Sequence, residues 1–148
     1  SIADFENGTA GDWTRGPAAV LGVITGQGYF SQNSIDPNYS YAGVVFSRTF
    51  TFKAGRTYEF FVQAFNWVGL PGGILPTFTL RRSSVGPITP SIKVAYNEGW
   101  KTISAQFTPQ EDITESLDIF SQQGLGWGGG ALGGNDYYLD NIMVRRIA

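Results

Sequence analysis

The chain has 148 residues, enough for one domain with a proper core, and a formal net charge of −2 that leaves no basic footprint for nucleic acid. It contains no cysteine and no histidine, which removes disulfides, thiolate chemistry, histidine-based triads and most zinc sites. Aromatic residues make up 15% and charged residues only 15%, with 20 glycines; the mix suits strands and turns, and no stretch is long and apolar enough for membrane insertion.

Ser1 in place of a methionine suggests a domain excised from, or processed out of, a longer protein. Residues 2–6 read as a short opening strand, followed by turn signals at Asn7-Gly8 and Ala10-Gly11. Trp13, so close to that strand, is expected as a core plug. Residues 18–25 form another apolar run, and 26–41 are loop-rich, with Tyr29, Phe30, Tyr39 and Tyr41 among them. Residues 44–52 and 57–66, joined by Lys53-Ala54-Gly55-Arg56, predict a β-hairpin with Phe50, Phe52, Tyr58, Phe60, Val62 and Ala64 turned to the core. The other face of the second strand carries Glu59, Phe61, Gln63, Phe65 and Trp67. An outward face is normally mostly polar. Either a further layer covers these aromatics or they form a binding platform.

After a loop at 68–76, residues 77–82 predict a strand with Phe78 and Leu80 inward and Arg81 outward. Residues 91–96 predict another, and Asn97-Glu98-Gly99 a turn. Residues 100–108 follow, with Ile103, Ala105 and Phe107 inward, Thr102, Ser104 and Gln106 outward, and Trp100 read as core or edge packing. Residues 109–115 read as a polar connection. They hold the one dense acidic cluster, Glu111, Asp112 and Glu115, which a solvated loop explains better than a glycosidase carboxylate pair. Residues 116–122 predict a strand with Leu117 and Ile119 inward and Asp118, Phe120 and Gln122 outward. Residues 124–134 are the most glycine-dense part of the chain, with Trp127 placed there as an exposed contact.

The last strand spans 137–145. Strict alternation puts Tyr138, Asp140, Ile142 and Val144 on one side, so the Asp140 carboxylate stands between apolar neighbours and needs a partner. An arginine, a cage of backbone N–H groups or a metal ion would each serve. Calcium takes six to eight oxygens. Asp4 and Glu6 near the start and Asp140 and Asn141 near the end offer some of them; otherwise Arg15, Arg48 or turn N–H groups satisfy these carboxylates. No helical periodicity holds over a long window, and about nine or ten short strands imply a β-sandwich. Nothing points to an enzyme: a serine nucleophile has no histidine base, and no phosphate-cradling loop is present.

Several pieces, in this order and spacing, resemble jelly-roll (galactose-binding-like) carbohydrate-binding modules. They are Asp4-Phe5-Glu6-Asn7-Gly8 with Gly11-Asp12-Trp13, the 45–52 and 58–66 segments around Ala54-Gly55, Trp100 with Ile103 and Phe107-Thr108, Leu117 with Ile119, and Tyr138-Leu139-Asp140-Asn141-Ile142. The resemblance implies an all-β, jelly-roll β-sandwich of two antiparallel sheets, formed by residues 1–148 as one domain. It implies a structural calcium held by Glu6 and Asp140. It also implies non-catalytic binding of an oligosaccharide or polysaccharide, with a secreted or cell- or phage-surface location and possible attachment to other domains of a larger chain. Phe65, Trp67, Phe120 and Trp127 would stack on sugar rings beside Phe61. Gln63, Asp118 and Gln122, with Arg81, would bond hydroxyls. The rival expectation is a structural or protein-binding module of an adhesin, toxin or tail fibre, since such sandwiches also serve there.

Overall fold

The computed structural model describes residues 2–3, 11–18, 23–24, 28–32, 42–66, 75–95, 97–122 and 136–148; for 2–3, 23–24, 28–32 and 136 it describes the backbone alone. The described residues form no helix. Their strands are β1 (Ile2–Ala3), β2 (Thr14–Arg15), β3 (Val23–Ile24), β4 (Gly28–Gln32), β5 (Gly43–Phe52), β6 (Tyr58–Asn66), β7 (Thr77–Arg82), β8 (Gly86–Pro87), β9 (Ile92–Lys93), β10 (Lys101–Phe107), β11 (Ile113–Ser121) and β12 (Asp136–Arg146). One antiparallel sheet, A, runs β10-β6-β12-β4-β3, with β1 also on β12; the other, B, runs β2-β5-β11-β7-β8, with β9 also on β7. The two face each other as an all-β sandwich.

Period-two alternation builds the core. Phe60, Val62 and Ala64 of β6, Ile103 and Phe107 of β10 and Tyr137 and Leu139 of β12 are buried on one side; Phe46, Phe52, Phe78, Leu80, Leu117 and Ile119 are buried on the other. Each such side chain contributes about 1.5–3 kcal/mol by leaving water. Aromatic contacts lock the layers: Phe52 meets Tyr58 at 4.6 Å and Phe107 at 5.1 Å, and Phe78 meets Tyr137 at 4.8 Å. Trp13 is buried as expected, between Phe50 and Phe60, each 5.7 Å away. The turn after it presses on β5. A Cβ on Gly16 would lie 2.2 Å from the Val44 carbonyl, and that close approach lets Gly16 and Ala18 donate to Val45 and Val44.

Three expectations are corrected. β5 and β6 do not pair as a hairpin; they belong to opposite sheets. The residues between them are too many for a two-residue hairpin turn, and the β10–β11 loop draws them across the sandwich. There Asp112 accepts the Ala54 N–H at 2.9 Å and Pro109 accepts the Gly55 N–H at 2.9 Å, with Gly55 at φ +75°. Both strands alternate in the same way, so the pattern alone does not separate a hairpin from a crossover between sheets.

The 109–115 stretch is not wholly a solvated connection, because β11 starts at Ile113. Glu115 is buried and faces inward. It takes the Arg82 guanidinium at 2.6 and 3.4 Å and the Ser84 hydroxyl, while Arg82 lies 4.6 Å over the Phe107 ring.

The third correction concerns β12. Asp140 lies opposite Gln63 but Met143 lies opposite Phe61, so β12 carries one extra residue. Asn141 absorbs it at φ 51°, in the left-handed region that Asn tolerates better than most residues. Alternation flips across this bulge. Ile142 and Val144 are buried, whereas Tyr138 and Asp140 share the outer face, half-buried. Asp140 therefore does not sit among core side chains.

Candidate functional site

The outer face of sheet A is built in rows across β10, β6 and β12. Thr102, Gln63 and Asp140 are in register; the next row is Ser104, Phe61 and Met143, and the next Gln106, Glu59 and Arg145. Above them, Phe65 is paired with Tyr138, and Trp100 leans in from the start of β10. Trp100, Phe65 and Tyr138 form one aromatic cluster, with centroids 5.5, 6.2 and 6.4 Å apart. Trp100 is 45% exposed, so of the two expected roles it takes edge packing, against Phe65 and Tyr138, and not core. The Glu98 turn anchors its base: Lys101 bonds Glu98 at 2.9 Å, and this bond and the Ala95 N–H hold the Glu98 carboxyl below its ordinary pKa.

Directly beside the aromatics lies an amide pair. The β12 bulge brings Asn141 onto this face, where its Nδ2 donates to Gln63 Oε1 at 2.7 Å. The bond leaves the Gln63 Nε2 hydrogens and the Asn141 side-chain oxygen without a further bond among the described residues, and neither atom is buried. A donor and an acceptor side by side suit two neighbouring hydroxyls. The Asp140 carboxylate joins them and also accepts the Asn141 N–H at 2.8 Å.

Four of the sugar-contacting residues expected from the sequence to act together stand on the other side of the molecule, in or just past sheet B. Arg81, Asp118 and Phe120 lie on the outer face of sheet B, where β7 and β11 bring Arg81 opposite Asp118 and Thr79 opposite Phe120. They saturate one another. Arg81 holds Asp118 through two bonds of 2.8 and 3.0 Å, and its guanidinium covers the Phe120 ring at 4.0 Å. Gln122 is exposed just past β11, its backbone N–H given to Thr77. The structure thus brings Phe61, Gln63 and Phe65 together and separates them from Arg81, Asp118, Phe120 and Gln122. Trp67, Trp127 and Glu6 lie outside the described residues.

Trp100, Tyr138 and Asn141 join the site without having been singled out for it. Tyr138 had been placed with Ile142 and Val144, and only the bulge reassigns it. For Trp100 the available signal was its position next to a Glu-Gly turn at a strand start.

Among the described residues, no three acidic, histidine or cysteine side chains cluster as a metal site. Asp140 is the described member of the Glu6–Asp140 pair. Ala3, three residues before Glu6, is in register with Ile142, two residues after Asp140.

No protein-family model matches the chain, and no curated protein matches its sequence. Solved structures do match in shape. A sugar-binding protein, the EclA C-terminal domain, superposes with TM-score 0.61 at 22% identity, over 95% of each chain. The CBM22-1 xylan-binding domain of Paenibacillus barcinonensis Xyn10C gives TM-score 0.59 at 12% identity, over 99% of this chain and 93% of that one. The K3 adhesin domain of Lys-gingipain from Porphyromonas gingivalis gives 0.56 at 14% identity, over 97% of both. These likenesses establish the fold, the jelly-roll sandwich that carbohydrate-binding modules share with an adhesin domain.

Proposed function

We propose that this chain is a non-catalytic carbohydrate-binding module whose ligand lies on the outer face of sheet A. The adhesin neighbour shows that the fold alone does not carry this reading. The observation that does is the Trp100–Phe65–Tyr138 cluster, its Trp100 exposed and the other two rings half-buried, lying beside the Gln63–Asn141 amide pair. Pyranose rings present an apolar face of C–H bonds and an equatorial rim of hydroxyls. Here aromatic rings meet the first, and a donor–acceptor pair with a carboxylate meets the second.

The rows support one orientation of the ligand. Aromatics line one row across the strands and polar groups the next, about 7 Å further along the strands. A glycan chain running across β10, β6 and β12 keeps its rings on the aromatics and its hydroxyls on the amides. Such a role fits a secreted or surface-exposed protein and attachment to further domains, as in the tandem module pair of similar shape.

A glycan array and a panel of soluble polysaccharides, probed with wild type and Trp100→Ala, test the reading. Binding by the wild type that Trp100→Ala abolishes supports it. A wild type that binds no glycan, or a variant that binds as well as wild type, overturns it.

A structural calcium at Glu6 and Asp140 belongs to the same proposal. Its support is the pairing of β1 with β12 beside Asp140 and the exposure of that carboxylate to the outer face. Calcium bound only by the folded state raises stability by mass action. Metal analysis and melting with and without chelator check it: Tm should fall on calcium removal, and an unchanged Tm after demonstrated removal defeats the claim.

A further inference from the structure

Among the described residues, strand β10 is the last strand of sheet A on its side, paired only with β6. Among the described residues no loop backbone bonds to its free side. Alternate N–H and C=O groups along Lys101–Phe107 therefore point away from the sheet. Proteins usually blunt such an edge with proline, a bulge or charges. This edge, Lys-Thr-Ile-Ser-Ala-Gln-Phe, pairs with β6 without a register shift and has one charged residue, Lys101, already bound to Glu98 and to the Lys93 carbonyl. Beside it a groove of about 390 Å³ opens between β10 and the chain around Ile88, Pro90 and Ile92, with Ile103 and Ala105 on its β10 wall.

The sequence of the edge fits itself. In an antiparallel pair of two β10 strands centred on Ser104, Thr102 faces Gln106, Ile103 faces Ala105 and Lys101 faces Phe107. No like charges oppose, polar residues meet polar on the outer side, Ile103 meets Ala105 on the groove side, and at each end Lys101 sets its aliphatic stem opposite Phe107. We propose that two copies of this chain associate through their β10 edges, about a twofold axis at Ser104. The interface is isologous, so each copy closes the other's groove. Seven-residue edges bury little area, so the dimer is weak and concentration-dependent.

Sheet A then continues through both copies, with both outer faces on one side. The two Trp100 residues stand on the order of 25 Å apart, at about 3.4 Å per residue along the paired strands. A polymer spanning both sites would be held by avidity that a short oligosaccharide cannot exploit. The association itself needs no glycan, so it stands or falls separately from the binding site.

Sedimentation equilibrium from about 1 μM to about 1 mM reads it out. The mass should climb from 16.1 kDa toward twice that value. Ser104 is exposed, and Ser104→Lys sets two ammonium groups face to face at the axis; the midpoint should move about fivefold higher in concentration with an unchanged melting curve. The chain has no cysteine, so Ser104→Cys gives a clean cross-link, which should form at least about tenfold faster than with Thr49→Cys on sheet B. A monomer throughout, a midpoint indifferent to Ser104→Lys, or equal cross-linking rates would each overturn the proposal.

Discussion

The two outer faces of the sandwich use similar residues for opposite ends. On sheet A an aromatic cluster exposes Trp100, and an amide pair uses one donor and one acceptor on each other and keeps the rest unspent among the described residues. On sheet B the corresponding groups are used up. Thr49 bonds Ser116 at 3.1 Å, Thr51 bonds Thr114 at 2.9 Å, and Arg81 is committed both to Asp118 and to the Phe120 ring. An aromatic beside an acid and a donor is therefore no signature of a site by itself. What separates the faces is whether the polar groups still have bonds to give, because a ligand gains little from groups that must first release a partner.

That contrast can be broken by substitutions that should cost stability on one side and binding on the other. The largest effect is expected for Glu115→Ala inside sheet B, which strands the Arg82 guanidinium in the interior. Loss of one partner of a buried pair costs about 3–5 kcal/mol. Chemical denaturation should show it, with glycan affinity of the folded fraction unchanged. Next comes Trp100→Ala, with an affinity loss of about thirtyfold or more, as for an aromatic anchor, and Tm within a few degrees of wild type; titration calorimetry and a thermal melt check both. Arg81→Ala should destabilise by about 1 kcal/mol, because the Asp118 pair it breaks is partly exposed, and should leave glycan affinity intact. A loss of affinity there would move the site to sheet B.

The smallest effect is a pH dependence at the β5–β6 crossover. Asp112 accepts the Ala54 N–H and faces Lys53, which hold its carboxyl below the ordinary value of 3.8. A carboxyl lowered by folding stabilises the fold fully above the unfolded pKa, and that stability is lost as pH falls through the lowered value. Asp112→Asn should thus flatten the acid limb of a stability–pH curve by slightly lowering the neutral plateau, with the most acid values unchanged.

Much of this was legible in the chain. The inward sets of β6, β7 and β10, the plug at Trp13 and the aromatic outer face of β6 all follow from alternation, which is a local property. Sheet membership is not local. Phe52 and Tyr58 look the same in a hairpin and in a crossover, so the pairing of β5 was misread, and with it the idea that Phe65 and Phe120 could serve one ligand. The β12 bulge is a second kind of blindness. One extra residue at Asn141 reverses the facing of everything after it, and a period-two reading cannot see it unless a glycine or a proline marks the spot. Asp140 thus looked like a carboxylate in need of rescue, when its strand had already turned it outward.

The alternation of β5 to β12 between the sheets also bears on how the chain must fold. Consecutive long strands never pair: β5, β7 and β11 go to sheet B, while β6, β10 and β12 go to sheet A. Growth by successive hairpins is therefore closed to them, and nearly every stabilising contact waits for the closure of a long loop. The wait is longest for β12, which lies between β6 and β4 and bonds to both. Until residues 136–146 arrive, sheet A exists only as three separate pieces, β6 with β10, β3 with β4, and β1 alone. Refolding therefore belongs with the slow, non-local sandwiches, on the scale of about milliseconds to seconds.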